Sequence, residues 1–505
     1  MTSFAVPVRL EDLFPKLGRH RAAAIGGLGA VVLLGYLLFV LVGVTGHEPW
    51  FDEAQSWLLA KDASMGDLLL RYLRYEGHPP LWYFLLSIPA KLGWPYVMAN
   101  VLSGLTMAVG VLLFLRLPAV PWFVRVTVPF GFFVAFQYAV VARAYALFLP
   151  AFMALAHVYP RRREKILLFT AILVVMSNIS LHGLAIAWAF AALYGLELAT
   201  EVRAGARLTS AESWRHRVAT VVFVFQTAAL LVVLWPPNDL LIGGALSVEQ
   251  SMRLLQVMLP RLILPMLAIN GFIASALGLF FLAWFWRQRV LFTFAGPFLA
   301  VTAITSLYSN YWHEGLYYFV WLFAFVLSLR IPAPAKWRRA ALTLGTIVLL
   351  QHCTWAVRTL SYDVKEPYSG SQEMAAFIKA NDLDDAKLYG VGFTTLALQP
   401  YFDEPLFDNY VTYGDFTFWD WSKSTPFFHP NAEATVRGMR AKFDEHLAEN
   451  PDFIVIGYKF PGDRLYEQWM AERPNYKHVK RTNGALYWKN RNIEVESYDL
   501  FARRR

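Results

Sequence analysis

The sequence predicts an α-helical polytopic membrane protein, with about 11–13 transmembrane helices at the ~20 residues one crossing needs, and a C-terminal α/β domain outside the cytoplasm. Three observations carry that expectation. Hydrophobic residues fill 57% of the 505 positions and charged residues only 16%. The mean hydropathy of +0.39 and the aromatic share of 16% exceed those of a soluble globular domain. Apolar runs of near-spanning length recur through the first 360 positions, and from about Arg358 the chain turns polar and charged. The expected division is a membrane domain, 1–360, and an extracytoplasmic domain, 361–505.

The N-terminal segment is polar to about Arg21 and runs into an apolar stretch too long for a signal-peptide core, so no cleavable signal is expected. Lys16, Arg19 and Arg21 place residues 1–21 in the cytoplasm. The net charge of +9 and pI near 9.4 are explained by basic residues at helix ends, the positive-inside pattern, and not by nucleic acid as a partner. The single cysteine, Cys353, allows no intrachain disulfide.

Taken in order, a first crossing at 22–44 leaves 46–77 outside. Within that loop, 53–61 and 65–75 carry apolar residues at helical spacing and are expected to lie on the membrane surface. His78-Pro79-Pro80 opens a short apolar segment, 81–92, since proline suits a first helical turn. Segment 96–115 is long enough to cross, with Arg116 and Arg125 at its cytoplasmic end. Arginine clusters then set an alternation: 126–141 out, 144–159 back, 166–181 out, 184–198 back, 218–235 out. It continues with 262–286 back, 290–307 out, 316–329 back and 340–357 out. In the outer domain, 371–380 and 433–449 are expected as helices, 387–391 and 453–456 as strands. Residues 479–481 and 485–488 are expected to form a hairpin across Thr482-Asn483-Gly484.

Chemistry concentrates on one face of this topology. Asp52 and Glu53 lie within a few residues of the bilayer, walled by Trp50, Phe51 and Trp57. A carboxylate there is desolvated, which makes it a better base. Asp52 also fits as N-cap of helix 53–61, and the two roles are compatible because a cap fixes the carboxylate. His78 sits at the same surface, as a donor to a phosphate or an interfacial histidine stacked on rings. Arg143, among apolar residues, calls for an anion or for snorkelling to the interface, and Tyr145 beside it could share a ligand. His182 lies at an external turn, and His313 opens a helix whose N-terminus could cradle a phosphate. These residues come from distant parts of the chain, yet the topology gathers them at the outer face. No phosphate loop, HExxH, CxxC or dinucleotide fingerprint competes. No cofactor is expected; Asp52, Glu53 and Glu48 could hold a divalent cation, but the spacing does not demand one. The aromatic run 410–421 could stack on sugar rings or pack the outer domain onto the membrane.

The ordered set of a long apolar helix, WFDEAQSW (50–57), surface helices, YEGHPPLWY (75–83) and ARAYAL (142–147) resembles the GT-C fold membrane glycosyltransferases. It is most similar to the branch of protein O-mannosyltransferases and the lipid A aminoarabinose transferase, and to bacterial members with WFDEAQ and GHPPLWY patterns. The similarity covers 22–200 and extends more loosely through NYWHEGLYYFVW (310–321) to EPYSGS (366–371). The resemblance implies a polyprenyl-phosphate sugar donor, a lipid, glycan or protein acceptor, inversion at the anomeric carbon, and a multi-pass protein of the cytoplasmic membrane whose site and C-terminal domain face the periplasmic side. It implies catalytic roles for Asp52 and Glu53 and substrate-binding roles for His78, Arg143 and Tyr145. The aminoarabinose transferase has lysine–proline where this chain has His78-Pro79, so neither its sugar nor its lipid A acceptor carries over. A flippase of lipid-linked saccharides, the competing expectation, calls for charges near the bilayer midplane and repeated halves.

Overall fold

The computed structural model describes residues 19–240, 248–410, 417–419, 421, 432–459, 464–489 and 491–504. It is mostly helical, with a small C-terminal sheet region. Among the described residues, five helices are long and apolar enough to cross a membrane: Gly26–Gly46, Met98–Leu115, Leu181–Arg203, Ser210–Leu234 and Ala335–Asp363. Met252–Met266 and Gly271–Arg287, bent by 75° at their junction, make a sixth if counted as one span. These helices are consistent with a multi-pass membrane protein.

The expected count of about eleven crossings plus a short segment is higher than this, for reasons visible in the backbone. Ile166–Ser177 and Leu291–Thr305 are apolar but short. The expected span 126–141 is broken into a helical turn, Trp122–Thr127, a 3-10 turn, Val128–Phe130, and a π turn, Phe133–Gln137. Pro129 lacks the N–H a continuous helix needs. The break is tolerated because this stretch is buried inside the bundle and side chains satisfy its carbonyls. Tyr36 Oη donates to Val134 O (3.1 Å), Ser103 Oγ to Tyr138 O (3.0 Å) and Asn100 Nδ2 to Val140 O (2.8 Å). Pro265 similarly interrupts the expected span 262–286 near its start.

The first helix, α1 (Arg19–Gly46), delivers the chain to α2 (Phe51–Asp62). The sequence places α2 on the membrane surface; instead it is buried, with Phe51, Ala54, Trp57 and Leu58 at 3% exposure or less. The C-terminal domain covers the side that would otherwise meet water. Phe51 stacks edge-on against Phe393, and Gln55 pairs with the backbone of Trp419 in both directions, at 2.8 and 3.1 Å. The segment from Met65 to Glu76 stays closer to the surface reading, with Leu70 at 75% exposure.

In the C-terminal domain, β1 (Leu388–Val391) pairs parallel with β2 (Phe453–Tyr458), and the helix Ala432–Ala448 lies between them in the chain. β3 (Tyr476–Thr482) is followed by β4 (Ala485–Trp488), β5 (Arg491–Val495) and β6 (Ser497–Arg503). The sheet order is β1-β2-β6-β3, and β4 and β5 form a separate antiparallel pair. Alternation along the strands divides two cores. Ile454 and Phe501 face helices carrying Phe443 and Trp469. Val455 and Leu500 join the apolar cluster that continues into the membrane helices.

The expected hairpin across Thr482-Asn483-Gly484 does not form: β3 pairs with β6, and β4 with β5. A two-residue Asn-Gly turn needs positive φ, and neither Asn483 nor Gly484 adopts it. The corner packs instead on segment 367–370, with Thr482 Oγ1 donating to Gly370 O (2.8 Å) and Ala485 N to Pro367 O (3.0 Å). A Cβ on Gly484 would lie 2.4 Å from Ser369 Cα.

Candidate active site

The site forms where α1 ends, α2 begins and the C-terminal domain closes over both. Helix α2 starts at Phe51, so Asp52 is inside the first turn and Trp50, not Asp52, is the N-cap. The reason is distant in sequence. The Phe51 N–H donates to both Glu496 oxygens (3.2 Å each), and the Trp50 N–H to Glu53 Oε2 (3.2 Å). Carboxylates at a helix N-terminus satisfy its free donors and its dipole, which releases Asp52 from that work.

Asp52 pairs with Arg143, 91 positions away. Their side chains keep 24% and 14% exposure, so the pair is reachable. The Arg143 guanidinium lies 5.5 Å from the Trp312 ring centre, 5.9 Å from Tyr145 and 6.0 Å from Trp50, an aromatic collar that holds a cation. Burial by itself would raise the Asp52 carboxyl, but the charges of Arg143 and Lys459 outweigh it and hold the group below the usual carboxylate range.

Glu53 behaves differently from its neighbour. Its side chain is fully buried, and Oε1 accepts from Asn100 Nδ2 (2.7 Å) and the Ala142 N–H (2.6 Å). Oε2 meets His47 Nε2 at 3.0 Å, and His47 Nδ1 meets Asp363 Oδ2 at 3.0 Å. One imidazole thus bridges two carboxylates at zero exposure. Desolvation lowers the His47 pKa, but Asp363 and Glu53 dominate and push it up to about 10, an imidazolium at neutral pH.

The remaining candidates gather around the Asp52–Arg143 pair. His78 Nδ1–H donates to the Glu76 carbonyl (2.7 Å), leaving Nε2 as a lone-pair acceptor. Burial and the Arg143 charge keep this imidazole below its usual range, and Asp52 is also within electrostatic reach. The Asn310 N–H donates to His313 Nδ1 (3.2 Å), so His313 Nε2–H donates to Tyr145 Oη (3.1 Å). The phenol hydrogen of Tyr145 is left for another partner. The His182 ring centre lies 4.5 Å from that of His313, the rings tilted by 46°, and His182 Nε2 meets Thr305 Oγ1 at 3.3 Å. The structure therefore brings Asp52, His78, Arg143, Tyr145, His182 and His313 into one neighbourhood, with Glu53 behind them.

Several residues here carry no local sequence signal. Glu76 accepts from Gln55 (2.7 Å), Trp421 (3.0 Å) and Tyr83 (3.2 Å). Burial pushes its carboxyl up to about 7 against those bonds. His47 and Asp363 flank the ends of helices and read as boundary polarity. Lys459 and Glu496 belong to a domain whose docking the sequence does not specify. Of the run 410–421, residues 411–416 and 420 lie outside the described residues; Trp419 and Trp421 pack on α2 and Glu76. Among the described residues no group of three or more His, Cys, Asp or Glu is arranged to hold a metal.

No protein-family model matches the chain, and comparison with curated proteins gives no match either.

Proposed function

We propose that the protein is a GT-C type membrane glycosyltransferase, moving a sugar from a polyprenyl-phosphate donor to a hydroxyl of a lipid, glycan or protein acceptor, with inversion. The Asp52–Arg143 ion pair carries this reading. It joins a base and a cation from distant segments at a reachable point between the membrane helices and the outer domain. In this reading the short and broken apolar segments complete a bundle of about 11–13 membrane helices. The N-terminus is cytoplasmic, and the site and C-terminal domain lie on the outer side of the cytoplasmic membrane, where no nucleotide-sugar pool exists and a sugar must arrive activated on a lipid.

Asp52 takes the proton of the acceptor hydroxyl as its oxygen bonds the anomeric carbon. The bond from that carbon to the phosphate oxygen breaks, and the electron pair leaves on polyprenyl phosphate. Arg143 meets that charge, assisted by the Tyr145 hydroxyl that His313 orients. His78, neutral and with Nε2 open, orients the acceptor. In the resting pair Asp52 is a weak base; a phosphate that shares Arg143 restores its basicity. Glu53, saturated by four partners, holds the frame and does not itself move protons. No nucleic acid and no cofactor enter the scheme.

Purified protein in lipid nanodiscs, incubated with a panel of polyprenyl-phosphate sugars and acceptors, tests the proposal. Sugar transfer with release of polyprenyl phosphate supports it, and inertness towards every donor contradicts it.

A further inference from the structure

We propose that Lys459, carried on the C-terminal domain, forms with Arg143 a two-cation seat for the donor phosphate, so that the anion is held across the boundary between membrane bundle and outer domain. This rests on the glycosyltransferase reading and adds to its site a residue from the other domain. Lys459 directly follows the last residue of β2, so the sheet fixes its backbone. Its Nζ lies 4.1 Å from the Trp50 ring centre, and the Arg143 guanidinium lies 6.0 Å from the same ring. Trp50 is therefore one buried shelf approached by two cations from the two domains. The Lys459 side chain is 8% exposed and pairs with Glu494 at 3.2 Å. Its charge also reaches Asp52 and Tyr308.

Lying over Trp50 within reach of Asp52, Lys459 adds positive potential where a leaving phosphate would sit. Carboxylates face both cations, Asp52 at Arg143 and Glu494 at Lys459, with Glu496 also within electrostatic reach of the lysine; an entering phosphate can share both cations without leaving a carboxylate buried alone. An acceptor hydroxyl carries no charge and gains nothing from a second cation, which assigns Lys459 to the donor side.

The test uses the full-length protein in nanodiscs and titrates it with polyprenyl phosphate, and separately with inorganic phosphate as competitor. Lys459→Met should weaken polyprenyl phosphate binding about tenfold or more, the worth of a charge-assisted contact, and should flatten its salt dependence. Lys459→Arg should restore most of the affinity, and the acceptor KM should stay unchanged. Competition by inorganic phosphate that is lost in Lys459→Met assigns the contact to the phosphate itself. Wild-type affinity in Lys459→Met, or equal losses in the Met and Arg variants alongside a lowered melting temperature, overturns the proposal. If the wild-type protein binds no polyprenyl phosphate, the glycosyltransferase reading fails; if it binds and Lys459→Met binds equally, only the role of the lysine fails.

Discussion

The carboxylate of Glu53 accepts the amide N–H of Ala142 at 2.6 Å, a contact between positions 89 apart. Each of these residues is chain neighbour to one member of the Asp52–Arg143 pair. Glu53 thereby sets the spacing of two chains that must present a base and a cation to the same ligand. His47 and Asp363 hold Glu53 in turn, so the ends of α1 and of the helix Ala335–Asp363 share in that registration.

Replacing Glu53 by Gln puts an amide donor against donors already in place and leaves the His47 imidazolium short of one anion. Removing one partner of a buried ion pair costs roughly 3–5 kcal/mol. Glu53→Gln is expected to lower the melting temperature of the detergent-solubilised protein markedly, with transfer lost alongside. A wild-type melting temperature contradicts the framing role.

Arg143→Ala removes the cation from a pair that keeps partial contact with water. Donor kcat/KM should fall roughly 10²–10³-fold, the scale of one lost oxyanion donor. Arg143→Lys should fall between, since an ammonium cannot reproduce a planar fork held among three rings. Steady-state kinetics with donor and acceptor varied separately checks this; equal losses for both substrates count against a phosphate role.

Lys489, from the loop that follows β4, is buried against the helix Ala335–Asp363 and pairs with Glu314 at 6% and 1% side-chain exposure. It also donates to Pro265 O at 2.9 Å and lies 3.9 Å from the Trp355 ring centre. Lys489→Met alone should cost roughly 3–5 kcal/mol by stranding Glu314, whereas the double variant with Glu314→Gln should recover most of it. A double-mutant cycle by chemical denaturation reads the difference, and additive losses contradict a coupled pair.

Stability should also depend on pH through the docking of α2. Burial pushes Glu496 up to about 7, above the ~4.3 of an unfolded glutamate. A raised folded value means that this group's contribution is present below the unfolded value and is lost as pH rises through about 7. His47 has the same sign in a higher window, fully stabilising below ~6.5 and lost as pH rises through about 10. Melting temperature should therefore decline on the alkaline side, and Glu496→Gln should remove the part of the slope below neutrality. A stability that rises with pH across that range contradicts the assignment.

Much of the membrane region was legible because apolar runs and arginine clusters are local signals. The helices Met98–Leu115 and Ser210–Leu234 fall where such runs predict them. Run length carries no trace of the break at Pro129 or of the bend that follows Pro265, and that is where the expected crossing count exceeds the helices long enough to span. The gathering of Asp52, His78, Arg143, Tyr145, His182 and His313 followed from placing each at a helix end on one face. What stayed hidden depends on contacts between distant segments: the Glu496 cap on α2, the His47 bridge, and Lys459 over Trp50. Thr482-Asn483-Gly484 carries a strong turn pattern, yet β6 offers β3 a longer partner than β4 does.

The central claim is that Asp52, paired with Arg143, removes the acceptor proton during transfer from a polyprenyl-phosphate sugar. The most direct measurement is polyprenyl phosphate release by wild type and by Asp52→Asn, in nanodiscs, with each donor of the panel. We expect release by the wild type with at least one donor, and about 10²–10⁴-fold less from an Asp52→Asn protein that melts like the wild type. Equal release by the two proteins, or none by the wild type with any donor, contradicts it.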